Sequence, residues 1–367
     1  MKILHIPQGG IGKKDLVSGI KTVLLEQVEW ENKIENIESR IYINDKIEYD
    51  NEFFINDRKT ENNLEDILKF SPDIVIFEGF YDIRNYNISK FLLEKKIKYF
   101  IKPHGSVDKK AQKNGLLKTI KKVLGNILIF NKFVEKSEGL IYLNENEKIN
   151  SIYKKSSIII PNGINKKYEN ENIKIIESNK INVIFIGKFD FHKKGIDRVL
   201  KIIKENIEYF VKNNIIFNFY GNGIKKDEKK LYEFSLRYKE TIKIFGPVFD
   251  NEKKKKIIEE QDIFILLSRY EGMPMAILES LELAIPCFVS EGTEMGDIIE
   301  ENEAGWLVRN NENIFTKFKT AVEEYKKNKY KYKKNAHTLS KKFLWENLLD
   351  EYKKMYNKVY GEIKNEK

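Results

Sequence analysis

The chain has 367 residues, with 66 Lys and Arg against 56 Asp and Glu, giving a formal net charge of +10. An apolar share of 41%, with 19 Tyr and 23 Phe, is too much core material for a disordered chain, and the length suits about two domains. One cysteine, Cys287, excludes an internal disulfide and any multi-cysteine zinc site, and no apolar run reaches the ~18 residues of a membrane-spanning helix. The opening segment Met1–Pro7 is too short an apolar run for a signal peptide, so a cytoplasmic location is expected. The positive charge leaves nucleic acid, an anionic membrane, phosphorylated small molecules or plain lysine bias as readings.

In chain order, short β-type runs at 2–6, 41–43, 73–77, 98–101, 139–142 and 157–160 alternate with helical patterns near 20–30, 63–70, 88–95, 116–135 and 145–153. Pro161-Asn162-Gly163 then breaks the chain, and a polar stretch to residue 180 reads as a linker. The rhythm restarts with strands expected at 182–187, 215–220, 241–245, 262–267, 286–290 and 305–308, and helices near 195–211, 227–238, 251–260, 274–283 and 293–300. Strand–helix alternation predicts an α/β chain of two doubly wound parallel sheets, with ligands beyond the carboxyl ends of the strands. The expected division is 1–165, 166–340 and a terminal helical segment 341–367.

Four loops at strand ends have unusual composition. Pro7-Gln8-Gly9-Gly10-Ile11-Gly12, followed by Ser18-Gly19-Ile20, offers glycine backbone and a helix start to a phosphate, yet it matches neither a Walker A motif nor G-x-G-x-x-G. A surface loop explains it equally well. Gly187-Lys188-Phe189-Asp190-Phe191-His192-Lys193-Lys194-Gly195 gathers cations where a strand ends, which suits a diphosphate and also suits a solvated basic turn. In Ser268-Arg269-Tyr270-Glu271-Gly272-Met273-Pro274-Met275, Pro274 suits the first position of a helix. Glu279 then falls among Ala276, Ile277, Leu278 and Leu281, so it is expected to be partly buried and to need a partner. A dipole-satisfying acid accounts for one of these two glutamates but not for the pair. The fourth loop, Ile101-Lys102-Pro103-His104-Gly105-Ser106, ends a first-domain strand on a lone histidine, a residue that is often merely structural.

At Glu271-x7-Glu279 the sequence resembles a retaining glycosyltransferase of the family-4 type, with the two-domain GT-B fold. Matching segments occur in order: Pro161-Asn162-Gly163-Ile164, Gly187-Lys188-Phe189 with Lys194-Gly195, Phe219-Tyr220-Gly221-Asn222-Gly223, Phe245-Gly246-Pro247-Val248, the double-glutamate signature, Gly305-Trp306-Leu307-Val308 and Phe343-Leu344-Trp345-Glu346. The resemblance spans nearly the whole chain. Pro103-His104-Gly105-Ser106 with Ala111, Lys121 and Lys122 resembles the branch that builds bacterial surface polysaccharides.

The resemblance implies two Rossmann-like domains facing each other across a cleft. It implies transfer of a hexose or N-acetylhexosamine from a nucleotide diphosphate sugar, most often UDP-linked, to a saccharide or lipid-linked saccharide acceptor with retained anomeric configuration. The nucleotide sugar is a co-substrate, and no cofactor or metal is expected, since no Asp-x-Asp occurs. Carried over residue by residue, Glu271, Lys194, Lys188 and His104 are the catalytic candidates. Gly10, Ser18, Gly19, Asn162, Gly221, Gly246, Pro247, Val248, Gly272, Met273, Pro274, Met275 and Glu279 are the donor-binding candidates, with Glu279 on the ribose. Lys188 stands where the family usually has arginine, which loses the bidentate fork, and Lys193 is an alternative to Lys194.

Residues 114–136 place Leu116, Leu117, Ile120, Val123, Leu124, Ile127, Leu128 and Phe130 among Lys118, Lys121, Lys122, Lys132 and Lys136. A basic amphipathic helix of this kind suits peripheral contact with an anionic membrane, at the inner face of the cell membrane, and equally suits a helix that buries one face. Nucleic acid is not an expected partner, because the basic residues are spread among acids and no reading motif is present. A nicotinamide dehydrogenase is disfavoured for want of a glycine fingerprint after the first strand. A non-catalytic GT-B-like binding or scaffold protein stays as the alternative.

Overall fold

In the computed structural model, which describes all residues except 10, 14–18, 45–46, 56–63, 114–115, 167–172, 174, 176 and 366–367, the chain divides into two units. Unit 1 is Met1–Asn165 with Trp345–Lys367, and unit 2 is Lys166–Leu344. Part of the proposed linker, residues 167–172, 174 and 176, lies outside the described residues.

Unit 1 carries strands β1 (Lys2–Pro7), β2 (Glu38–Ile41), β3 (Ile74–Glu78), β4 (Lys98–Lys102), β5 (Gly139–Tyr142) and β6 (Ser157–Ile159). They form one parallel sheet in the order β2-β1-β3-β4-β5-β6. Unit 2 carries β7 (Ile181–Ile186), β8 (Ile215–Tyr220), β9 (Ile242–Phe245), β10 (Ile263–Leu266), β11 (Cys287–Ser290) and β12 (Gly305–Val308), parallel in the order β12-β11-β10-β7-β8-β9. Central strands such as β3 and β10 are buried throughout, because helices cover both sheet faces, and they therefore read as continuous apolar runs. In unit 1 the strand order reverses between β1 and β3, and in unit 2 between β7 and β10. The carboxyl ends of those strand pairs are the switch points where such sheets hold ligands.

Several element bounds differ from the sequence reading. The strand expected at 41–43 is Glu38–Ile41, because that segment ladders with Lys2–His5, while Tyr42 and Ile43 are buried just beyond it. The helix expected at 88–95 begins at Ile83, since the Asp82 carboxylate caps it by accepting the Arg84 N–H at 2.9 Å. The pattern at 195–211 divides at Asn206 into Ile196–Glu205 and Ile207–Lys212. Pro274 caps the helix Met275–Glu282 rather than opening it.

The pattern at 116–135 becomes Leu116–Gly125, a π turn at Asn126–Phe130, and Asn131–Glu135. Phe130, Phe133 and Val134 turn into the core. Ile120, Val123, Leu124, Ile127 and Leu128 are instead 47–67% exposed, so this helix does not bury its apolar stripe within unit 1. Among the described residues no helix is long and apolar enough to cross a membrane.

The terminal helix Trp345–Asn365 packs on the rest of unit 1. Trp345 is buried, and its Nε1–H donates to Glu26 Oε2 at 3.0 Å. A Cβ at position 163 would collide with this indole, which explains the glycine of Pro161-Asn162-Gly163. Trp345→Ala removes the indole and one hydrogen bond, so it is expected to destabilise unit 1 by about 3–5 kcal/mol, read as a lower urea midpoint.

Candidate functional site

In unit 2 the switch point is built from the loops after β7 and β10. Glu271 lies in the second loop and is only 8% exposed. A buried carboxylate needs cations and donors, and it finds them in the neighbouring loop. Lys194 Nζ lies 2.7 Å from Glu271 Oε1, Lys193 Nζ lies 3.7 Å from Oε2, and Ser268 Oγ–H donates to Oε1 at 3.1 Å. Burial alone would raise the Glu271 pKa, but Lys193 and Lys194 outweigh it and hold the carboxyl below its ordinary value. Glu271 in turn raises the Lys193 pKa against burial. Both lysines therefore attend the same acid.

Backbone geometry permits this closeness. Gly195 has φ +67°, and any Cβ there would collide with the Leu267 carbonyl at the end of β10. Arg269, absent from the sequence candidates, ties the two loops. Its N–H donates to the Lys193 carbonyl at 2.9 Å, its guanidinium to the His192 carbonyl at 2.6 Å, and it forks onto Asp197 at 2.8 and 2.7 Å.

Glu279 is buried on the helix Met275–Glu282 and pairs with Lys254, a partner that sequence reading missed because it sits on a separate helix, Asn251–Glu259. Gly272, Met273, Pro274 and Met275 are buried at the start of the Met275–Glu282 helix. Lys188 is exposed just after β7. Gly221, with φ +150°, lies against the Gly187 carbonyl, so the turns after β7 and β8 run side by side. Gly246 is exposed, and Pro247 and Val248 are half-buried, beyond β9. There Phe245 stacks on Tyr220 with ring centroids 4.4 Å apart.

The remaining candidates belong to unit 1. Gly10 and Ser18 lie outside the described residues, Gly19 opens the helix Gly19–Glu31, and Asn162 is buried before Gly163. His104 follows β4, and its Nε2 lies 2.5 Å from Glu78 Oε2. Behind it is a buried polar cluster absent from the sequence candidates. His5 Nδ1 lies 2.9 Å from Glu78 Oε1, and His5 Nε2 lies 2.9 Å from Glu31 Oε2. Burial alone would lower the His5 pKa, but Glu31 and Glu78 override it and raise it to about 9. Lys102, also buried, donates to Gln27 Oε1 at 3.2 Å. A faint sign of this cluster existed in sequence, since Glu78 and His5 interrupt otherwise apolar strands.

Comparison with known proteins gives three results. Residues 166–343 match the family model described as Glycosyl transferases group 1. The chain is 25% identical over 240 residues, 63% of each chain, to an uncharacterized 41.2 kDa protein in the cps region of Klebsiella pneumoniae. It is 27% identical over 168 residues to the UDP-Gal:alpha-D-GlcNAc-diphosphoundecaprenol alpha-1,3-galactosyltransferase of Escherichia coli, covering 42% of this chain and 41% of that one. Both alignments span less than two thirds of the relative's length. Among solved structures, the sucrose-phosphate synthase of Thermosynechococcus elongatus matches with a TM-score of 0.76 and 12% identity, covering 98% of this chain and 100% of that one. The fold is thus the two-domain α/β GT-B arrangement.

The raised pKa of His5 has a definite sign. Its contribution to stability is full below the ordinary value of 6.5 and is lost as pH rises through about 9. The urea midpoint of unit 1 is therefore expected to fall from about pH 7 to about pH 10, and His5→Gln should abolish that fall. A midpoint that does not change across the range would contradict the buried imidazolium.

Proposed function

We propose that this chain, whose residues 166–343 match the glycosyl transferases group 1, is a retaining glycosyltransferase of bacterial surface-polysaccharide biosynthesis. It moves a hexose or N-acetylhexosamine from a nucleotide diphosphate sugar, UDP-linked, to a saccharide or lipid-linked saccharide. The observation that carries this reading is the pairing of Lys193 and Lys194 with Glu271 at the switch point of unit 2. Support for the donor and acceptor classes comes from the Escherichia coli relative, whose name describes UDP-galactose and a diphosphoundecaprenol-linked acceptor. The position of the Klebsiella relative in a cps region supports the capsule branch.

In this mechanism a diphosphate departs while positive charge develops on the sugar. Lys194 and Lys188 receive the departing charge, and the N–H groups near Gly19 and Met273–Met275 add to it. The lysine charges stand in the place a metal ion would take, stabilising the leaving group by electrostatic preorganisation without acid catalysis on it. Glu271 holds donor-sugar hydroxyls and steadies Lys194, Glu279 holds the ribose, and His104 meets the sugar. Gly246, Pro247 and Val248 present backbone to the base.

The exposed stripe Ile120, Val123, Leu124, Ile127 and Leu128 gives the second part of the reading, a peripheral contact with the anionic inner face of the cell membrane. Lys121, Lys132 and Lys136 are exposed with it, whereas Lys122 Nζ donates to the Ala111 carbonyl at 2.7 Å. The side chain of Lys118 lies outside the described residues.

Turnover of radiolabelled UDP-sugars over a panel of saccharide and lipid-linked acceptors tests the main reading. Full activity in excess chelator is expected, with loss there removing the metal-free claim. Glu279→Ala is expected to weaken donor binding by roughly 10–100-fold, the size of a hydrogen bond to a charged group. Donor binding without turnover on any acceptor would favour the scaffold alternative. In vesicle flotation, binding to anionic but not neutral lipid is expected, and Ile127→Glu with Leu128→Glu should abolish it. Binding indifferent to lipid charge would remove the electrostatic part.

A further inference from the structure

The polar cluster beneath β1, β3 and β4 performs no step of the reaction above, yet it ends on His104. His5 is fully buried, and each ring nitrogen faces a carboxylate oxygen at 2.9 Å. An ionised carboxylate only accepts, so both nitrogens of His5 carry hydrogen and the ring is an imidazolium. Glu31 has no role to spare, because Gln27 Nε2–H, Ser39 Oγ–H and Tyr356 Oη–H donate to it at 2.7, 2.6 and 2.5 Å. Glu78 is therefore held as a carboxylate. Its Oε1 accepts from His5, which leaves Oε2 to accept from His104 Nε2 at 2.5 Å.

The backbone at this point is shaped as well. His104 has φ +50° and Gly105 has φ +77°, two successive left-handed residues, and the Gly105 N–H donates to buried Glu147 Oε1 at 2.5 Å. Histidine in that region is strained and persists only where neighbours over-determine it. Glu78 thus sits between two partners, with His5 on one oxygen and His104 on the other.

We propose that Glu78 is a positioning residue that holds His104 in its Nε2–H tautomer, so that Nδ1 meets a sugar hydroxyl as a hydrogen-bond acceptor. This rests on the reading of His104 as a sugar contact. His5 and Glu31 act one step further back, since they keep Glu78 charged and aimed. The consequence is selectivity by hydrogen-bond polarity, because a hydroxyl can donate to Nδ1 and an ether or ester oxygen cannot.

The test is tautomer assignment by long-range ¹H–¹⁵N NMR on the full chain with labelled histidine. The four histidines are few enough to separate, with His104 identified by its loss in His104→Gln. The expected wild-type result is protonation of His104 at Nε2 only. In Glu78→Gln the amide oxygen stays on the His5 Nδ1–H and the NH₂ turns to His104, so His104 should switch to Nδ1–H. kcat with the UDP-sugar should then fall about tenfold, the size of one misdirected hydrogen bond. An Nδ1–H ring in the wild type overturns the assignment, and so does an unchanged tautomer in Glu78→Gln. If Glu78→Gln fails to fold, the wild-type spectrum alone decides. Full turnover in His104→Gln overturns the sugar contact while leaving the tautomer result to stand or fall separately.

Discussion

A carboxylate closed off from water at the end of a β-strand stays charged only beside cations, and Glu271 meets that demand with Lys193 and Lys194. Those lysines belong to the loop after β7, while Glu271 belongs to the loop after β10. Because β7 and β10 are neighbours across the point where the strand order reverses, one electrostatic requirement joins the two loops. The glycine at 195 allows the backbones to meet, and Arg269 locks them by reaching His192 and Asp197. The same principle recurs in unit 1, where Glu31 and Glu78 enclose His5. In both units a buried carboxylate paired with basic side chains sits at the end of the sheet.

This arrangement bears directly on the proposed chemistry. Two lysines opposite one carboxylate leave a surplus of one positive charge, and exposed Lys188 adds to it close by in the chain. In the proposed reaction an incoming diphosphate would meet cations already held beside Glu271. Because Glu271 already orients Lys193 and Lys194, less reorganisation would remain for the reaction itself. Glu279, about one turn into the following helix, repeats the pattern with Lys254 from a separate helix, and a ribose hydroxyl would find there a polar group in an otherwise apolar stretch.

Much of this was legible in the sequence. Apolar runs ending in Gly or Pro predicted the strands, because strands covered on both faces need unbroken hydrophobicity. The loop of Glu271 was visible because glutamate, glycine and proline sit where a strand should hand over to a helix. What escaped was pairing over distance. Nothing local marks Lys254 among the lysines of its helix as the partner of Glu279, or Arg269 as the tie between two loops. Glu78 and Glu31 are separated by 47 positions and meet only through His5, so periodicity cannot reveal them. The exposed stripe at 120–128 had the pattern of a buried face, and only the packed sheet shows that unit 1 does not cover it.

Calorimetric titration of UDP into the whole protein, in chelator, most directly tests the claim that the loops after β7 and β10 form a diphosphate site. Saturable binding is expected, weakened about tenfold or more in Lys194→Met, and weakened further as salt rises. Binding that appears only with added divalent metal, or that is unchanged in Lys194→Met, would contradict the account.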